Sequence, residues 1–136
     1  MFSYCNELTS IPELDTSNGT NFNGMFSYCY KLISIPELDT SKGTNFYGMF
    51  NYCYKLYSVP ELDVSNGTNF DWIFGDCKEL TVFGGLKNVK LSFSLNKSTK
   101  LTKDSLLNVL NKLADLTGSE QQKLTLGSTN LEKLTD

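Results

Sequence analysis

MFSYCNELTSIPELDTSNGTNFNG (residues 1–24) is followed at once by MFSYCYKLISIPELDTSKGTNFYG (25–48) and MFNYCYKLYSVPELDVSNGTNFDW (49–72), and IFGDCKELTVFGGL (73–86) opens a fourth copy that then diverges. The first two copies agree at 19 of 24 positions and the next two at 17 of 24, a pattern of duplication. A unit that recurs at a fixed period marks a stacked array. One 24-residue unit cannot bury enough apolar surface to offset the entropy of ordering itself, so its neighbours must complete its core.

The positions that do not change specify that core. Phe2, Phe26, Phe50 and Phe74 form one apolar series; Cys5, Cys29, Cys53 and Cys77 a second; Leu8, Leu32, Leu56 and Leu80 a third. Ile11, Ile35, Val59 and Phe83, then Leu14, Leu38, Leu62 and Leu86, and finally Phe22, Phe46 and Phe70 add three more. Each series is expected to form a ladder, with one rung per coil. The Cys-x-x-Leu-x-x-Ile run has leucine-rich spacing and predicts a short strand near residues 8–11 of each copy. Pro12, Pro36 and Pro60 lack an amide proton and should end it. The SNG and SKG triplets at 17–19, 41–43 and 65–67 predict turns whose glycines are free to take positive φ.

The frame MFxYCxxLxSIPELDTSxGTNFxG resembles the BspA-like leucine-rich repeats over residues 1 to about 86. That family occurs in bacterial surface proteins and phage-associated proteins. The spacing itself predicts an α/β leucine-rich-repeat solenoid, with one short parallel strand per coil, turns or short helices on the return side, and a longer helix in the C-terminal coil. The resemblance alone implies the adhesive or recognition role, at a cell surface, outside the cell or on a virion. It carries no catalytic residue to transfer.

After the four repeats of 1–86, the fourth partial, residues 87–136 are expected to continue the array with longer coils. KLSFSLNKSTKLT (90–102) and KLTLGSTNLEKLT (123–135) align Leu91 with Leu124, Phe93 with Leu126 and Leu101 with Leu134, an interval of 33. Ser98 stands where another Cys is expected. Between them Leu106, Leu107, Val109, Leu110, Leu113 and Ala114 follow helical spacing and predict a helix near 103–117, capped by Thr102 and stopped by Gly118. Its apolar stripe is expected on the core, with a partner-binding groove as the alternative. The chain starts on the first letter of a repeat and ends as a second helix should begin. A continuation of the polypeptide at one or both ends is therefore expected, with capping by oligomerisation as the alternative.

Composition narrows the function. The 136 residues are 40% apolar, enough for a core, and carry a net charge of -3 with 12 basic residues that never cluster, so nucleic acid is not an expected partner. No apolar run is long enough to insert in a membrane, and the first 30 residues lack the pattern of a secretory signal. The chain has no His, the commonest general base and metal ligand. A non-enzymatic protein without a cofactor is expected, since the carboxylates of identical coils offer no differentiated acid and base.

Three sets of residues are candidates for a site. The four Cys invite disulfide or metal readings, but one thiol per coil in a column favours a buried free thiol over converging ligands. Glu13, Glu37 and Glu61 with Asp15, Asp39 and Asp63 make two acidic ladders, open to three readings: turn-fixing or solvated carboxylates, partner contacts, or a cation site. The third set varies while its surroundings stay fixed. Thr9, Ile33, Tyr57 and Thr81 occupy one outward strand position, and Tyr30 and Tyr54 replace Asn6 beside Tyr4, Tyr28 and Tyr52. Such positions carry the contacts of recognition surfaces, here to protein or glycan; drift of a solvated surface and packing on the next coil are the alternatives. A spacer array without its own ligand is the other reading of the whole chain.

Overall fold

A computed structural model describes residues 1–113 and 122–135. Its elements are β1 (Ser58–Val59), β2 (Leu62–Asp63), β3 (Val82–Phe83), β4 (Leu86–Lys87), β5 (Phe93–Ser94), α1 (Lys103–Asn111), β6 (Leu124–Thr125) and α2 (Ser128–Thr135). All strand pairs are parallel: β1 with β3, β2 with β4, and β5 with β6. Ser58 faces Val82 and Leu62 faces Leu86, so the register is one repeat.

Successive copies are joined by backbone rungs at two places around the unit, and the third copy meets the fourth at one more. At the ninth position the Ile33, Tyr57 and Thr81 amides donate to the Thr9, Ile33 and Tyr57 carbonyls, at 3.1, 2.8 and 3.0 Å. Pro60 separates β1 from β2, where the backbone turns and a second rung begins. The third rung lies where one copy passes into the next: Phe22, Gly24, Phe26 and Tyr28 donate to Asn45, Tyr47, Met49 and Asn51 at 2.8 to 2.9 Å. One asparagine column pins its start, since Asn21 pairs with Asn45 and Asn45 with Asn69. Their side chains accept the Asn23, Tyr47 and Asp71 amides, each at 3.0 Å.

Inside these rungs like residues stack on like. The ring centroids of Phe2, Phe26, Phe50 and Phe74 follow one another at 5.7, 5.6 and 5.4 Å, and those of Phe22, Phe46 and Phe70 at 5.5 and 5.6 Å. The buried column continues through Leu32, Leu56 and Leu80 and through Ile35, Val59 and Phe83. The first copy is less enclosed: Phe2, Cys5, Leu8 and Leu14 are only partly buried.

The turn glycines differ from expectation. Positive φ falls at Gly24, Gly48 and Trp72, which share one repeat position, and at Tyr4, Tyr28, Tyr52 and Asp76, which share another. Gly19, Gly43 and Gly67 of the SNG and SKG triplets are absent from that set. Space rather than dihedral freedom is what they supply: a Cβ on Gly19 would lie 2.6 Å from the Phe22 ring, and Gly43 and Gly67 sit against Phe46 and Phe70 in the same way. The phenylalanine ladder runs under a backbone with no side chain.

The C-terminal register also differs. Phe93 pairs with Leu124 and Ser94 with Thr125, an interval of 31 rather than the 33 of the sequence alignment. A slip of two residues keeps every side chain on its own face of a strand, so the apolar pattern could not tell the two apart. Helix α1 starts as expected, with the Thr102 hydroxyl accepting the Ser105 amide. It ends at Asn111, however, and Leu113 instead bridges to Val89. The rest of the expected helix (114–117) and the Gly118 stop lie outside the described residues. Its stripe divides: Leu106 and Val109 are buried, while Leu107, Leu110 and Leu113 are exposed.

α1 also closes the outer edge of β3. The buried Ser105 hydroxyl accepts the Phe83 amide at 3.0 Å and donates to the Thr81 carbonyl at 3.0 Å, and the Asn108 amide donates to the Phe83 carbonyl at 3.2 Å. An unpaired strand edge invites further pairing, and here side chains satisfy it.

Candidate functional site

The most distinctive surface is a block of tyrosines. Residues 2–5 and their equivalents form a tight turn, the Cys5 amide donating to the Phe2 carbonyl at 3.1 Å, with Tyr4, Tyr28 and Tyr52 at φ 62, 62 and 60°. That left-handed backbone turns each ring outward, against its neighbour in the next coil. The Tyr4 and Tyr28 centroids are 4.5 Å apart and those of Tyr28 and Tyr52 4.9 Å. Tyr30 and Tyr54 form a second column at 5.3 Å and meet Tyr28 and Tyr52 edge-on, at 6.2 and 5.9 Å. Such stacked and edge-to-face pairs each contribute roughly 0.5–1.5 kcal/mol beyond area burial. Desolvation, and then the adjacent Tyr4, Tyr52 and Tyr30 phenols, hold the Tyr28 hydroxyl above the ordinary tyrosine range.

An ion pair ends the block. The fourth copy has Asp76 and Lys78 where the second and third copies have Tyr; Lys78 Nζ lies 5.4 Å from the Tyr54 centroid and 3.6 Å from the Asp76 carboxylate. The aromatic face thus spans three copies, from Tyr4, which is 65% exposed, to a charged border.

Of the variable residues, the structure brings Tyr30 and Tyr54 into this block. Thr9, Ile33, Tyr57 and Thr81 fall in one hydrogen-bonded column, where Ile33 is 52% and Tyr57 49% exposed. Tyr57 makes no ring contact among the described residues. Thr81 is partly buried, its hydroxyl donating to the Glu79 carbonyl at 2.8 Å. Two exposed aromatics were missed in the sequence, Tyr47 and Trp72, the latter 63% exposed at φ 58° where the first two copies carry Gly. The replacement of Gly by Trp at the end of the third copy was the signal that could have found it.

The other candidates resolve into framework. All four thiols are free. Cys29, Cys53 and Cys77 donate to the Phe2, Phe26 and Phe50 carbonyls of the preceding coil at 3.0, 3.0 and 3.1 Å, and burial pushes each thiol up from its ordinary range, Cys53 and Cys77 the furthest. Ser98 takes the same place in the next coil, its amide donating to the Leu95 carbonyl at 3.0 Å as that of Cys77 does to Phe74 at 3.3 Å. Asp15, Asp39 and Asp63 each accept from a serine amide at 3.1 Å and its hydroxyl at 2.6 Å two residues on. Those bonds from Ser17 and Ser41 hold Asp15 and Asp39 below the usual carboxylate range. At Asp63 desolvation opposes, but Ser65 and Lys87 outweigh it. Glu61 pairs with Lys112 at 3.1 Å, and Glu13 and Glu37 are exposed. No group of three or more Cys, Asp or Glu is placed to hold a metal ion among the described residues. No helix among them is long and apolar enough to cross a membrane.

Comparison with known proteins gives one match. No curated protein and no solved structure matches the chain. A family model covers residues 1–103, taking in the 24-residue repeats and the start of α1. The chain therefore belongs to the repeat-bearing family described as Mycoplasma protein of unknown function, DUF285.

Proposed function

We propose that the chain is a non-enzymatic recognition or adhesion module, built as a leucine-rich-repeat solenoid of the BspA-like type, which binds a protein or glycan on its repeat face. The observation that carries this reading is the tyrosine block. The core ladders are complete without it, yet five rings are held outward in register, three of them on left-handed backbone. A bulky residue at positive φ costs roughly 1–2 kcal/mol, so a face built only for solubility would carry Asn or Gly there. Tyrosine offers apolar area and a hydroxyl at small entropic cost, which suits either ligand class. The resemblance of the repeat frame supports placement on a bacterial surface or virion.

The test is binding by the purified chain to a glycan array and to the surface of its host cell. Tyr30→Asp with Tyr54→Asp, and Ile33→Asp with Tyr57→Asp, separate the two columns. Loss of binding with unchanged melting supports recognition and names the column. Unaltered binding by both pairs removes this reading and leaves a spacer array.

A further inference from the structure

The rung that links successive copies ends at an open edge. Phe22, Gly24, Phe26 and Tyr28 donate to the Asn45, Tyr47, Met49 and Asn51 carbonyls one repeat on, and Phe46, Gly48, Phe50 and Tyr52 donate to Asn69, Asp71, Ile73 and Gly75 at 2.7 to 2.9 Å. The equivalent amides of the third rung are those of Phe70, Trp72, Phe74 and Asp76. None of these four donates to another described residue. They form a row at every second residue, which is the donor pattern of an unfilled strand position.

The chain does not fill that position itself among the described residues. β5 is the next segment, but the Phe93 and Leu95 amides donate to Lys123 and Thr125, on its far side. Between the rung and β5 lies a groove of about 310 Å³ lined by Trp72, Phe74, Ser94, Asn96 and Lys97. It continues along Phe70 and Ser92. Trp72 forms part of the wall on strained backbone, at φ 58°.

We propose that this groove binds an extended segment of a partner polypeptide, which adds to the 70–76 rung as a parallel strand. The edge continues the interface already used between the copies, and that interface fixes the geometry: alternate carbonyls of a strand running parallel to residues 70–76 accept the four amides. Only a single strand fits. A whole further coil is excluded because Ser105 and Asn108 of α1 cover the β3 edge on which its ninth-position strand would have to pair. Main-chain bonds supply the affinity in such strand addition, and Trp72 supplies apolar contact with the added segment.

The probe is the peptide GTNFYGMFNY, the sequence of residues 43–52, whose carbonyls at Asn45, Tyr47, Met49 and Asn51 accept the Phe22, Gly24, Phe26 and Tyr28 amides within the chain. It is titrated into the intact protein while the emission of Trp72, the chain's one tryptophan, and amide hydrogen exchange are followed. The expected result is saturable binding that slows exchange at Phe70, Trp72, Phe74 and Asp76 about tenfold or more. Asn96→Trp, which fills the groove from an exposed position, weakens binding about tenfold. Tyr30→Asp with Tyr54→Asp leaves it unchanged, so this site and the tyrosine face fail or stand separately. Three results overturn the proposal: slow exchange of the four amides in the free chain, no saturable binding, or binding that protects other amides and is indifferent to Asn96→Trp.

Discussion

Ser105→Ala should open the edge of β3. The Ser105 hydroxyl is buried and bonds both Phe83 N and Thr81 O at 3.0 Å. After truncation the Thr81 carbonyl keeps the Thr102 amide at 3.1 Å, but the Phe83 amide, on a residue with no exposed surface, keeps nothing. A buried donor stripped of its acceptor costs about 1–3 kcal/mol. The hydroxyl's bond to Thr102 is also lost, although the cap on the Ser105 amide survives. Taking about 2 kcal/mol, a chain of this length should melt roughly 6–10 °C lower. Ser94→Ala is the control, since Ser94 is exposed and its loss should cost no more than about 0.5 kcal/mol. Urea unfolding gives the energies, and amide exchange at Phe83 locates the change. Equal stability of the two variants would show that α1 does not seal the array.

The Trp72→Gly variant should be more stable by up to about 1 kcal/mol, because it relieves a left-handed tryptophan; thermal melting checks this, and a lower melting point would mean that the indole supports the fold. In the native protein Cys29, Cys53 and Cys77 should resist a thiol reagent at pH 8, where burial keeps them protonated, while the partly buried Cys5 reacts first. Mass spectrometry of the labelled chain reads the order. Asp15, Asp39 and Asp63 have folded-state pKa values below their unfolded ones, so their contribution is full above about pH 4 and is lost as pH falls through the depressed values. Replacing all three with Asn keeps an acceptor for the serine amides and should flatten the fall in melting temperature below about pH 4.

What could be read from the sequence was whatever repeats. Phe26, Cys29 and Leu32 recur because each must meet its own kind one coil away, so identity of residue implied identity of environment. The same spacing of one repeat brings Tyr30 against Tyr54. That logic failed where one physical need can be met in two ways. A glycine in a turn serves dihedral freedom or bare space, and Gly19 lies against the Phe22 ring for the second reason. A register of 31 or 33 preserves the same strand face, so only the pairing of Phe93 with Leu124 decides between them.

The sequence was silent on the ends of the rungs, and there the function proposed for the groove arises. Each interior amide of the linking rung is satisfied by the copy that follows, so the fourth copy's divergence decides what satisfies Phe70, Trp72, Phe74 and Asp76. At the neighbouring rung the answer lies in the chain, in Ser105 and Asn108. At the 70–76 rung β5 is committed to β6, and Trp72 stands where Gly24 and Gly48 had none of its bulk. A chain that seals one edge with a helix and lines the other with a strained, exposed indole treats the two edges differently. That difference follows from the substitutions after Asn69, not from the repeat, and it is why strand addition is expected at one edge and not at the other.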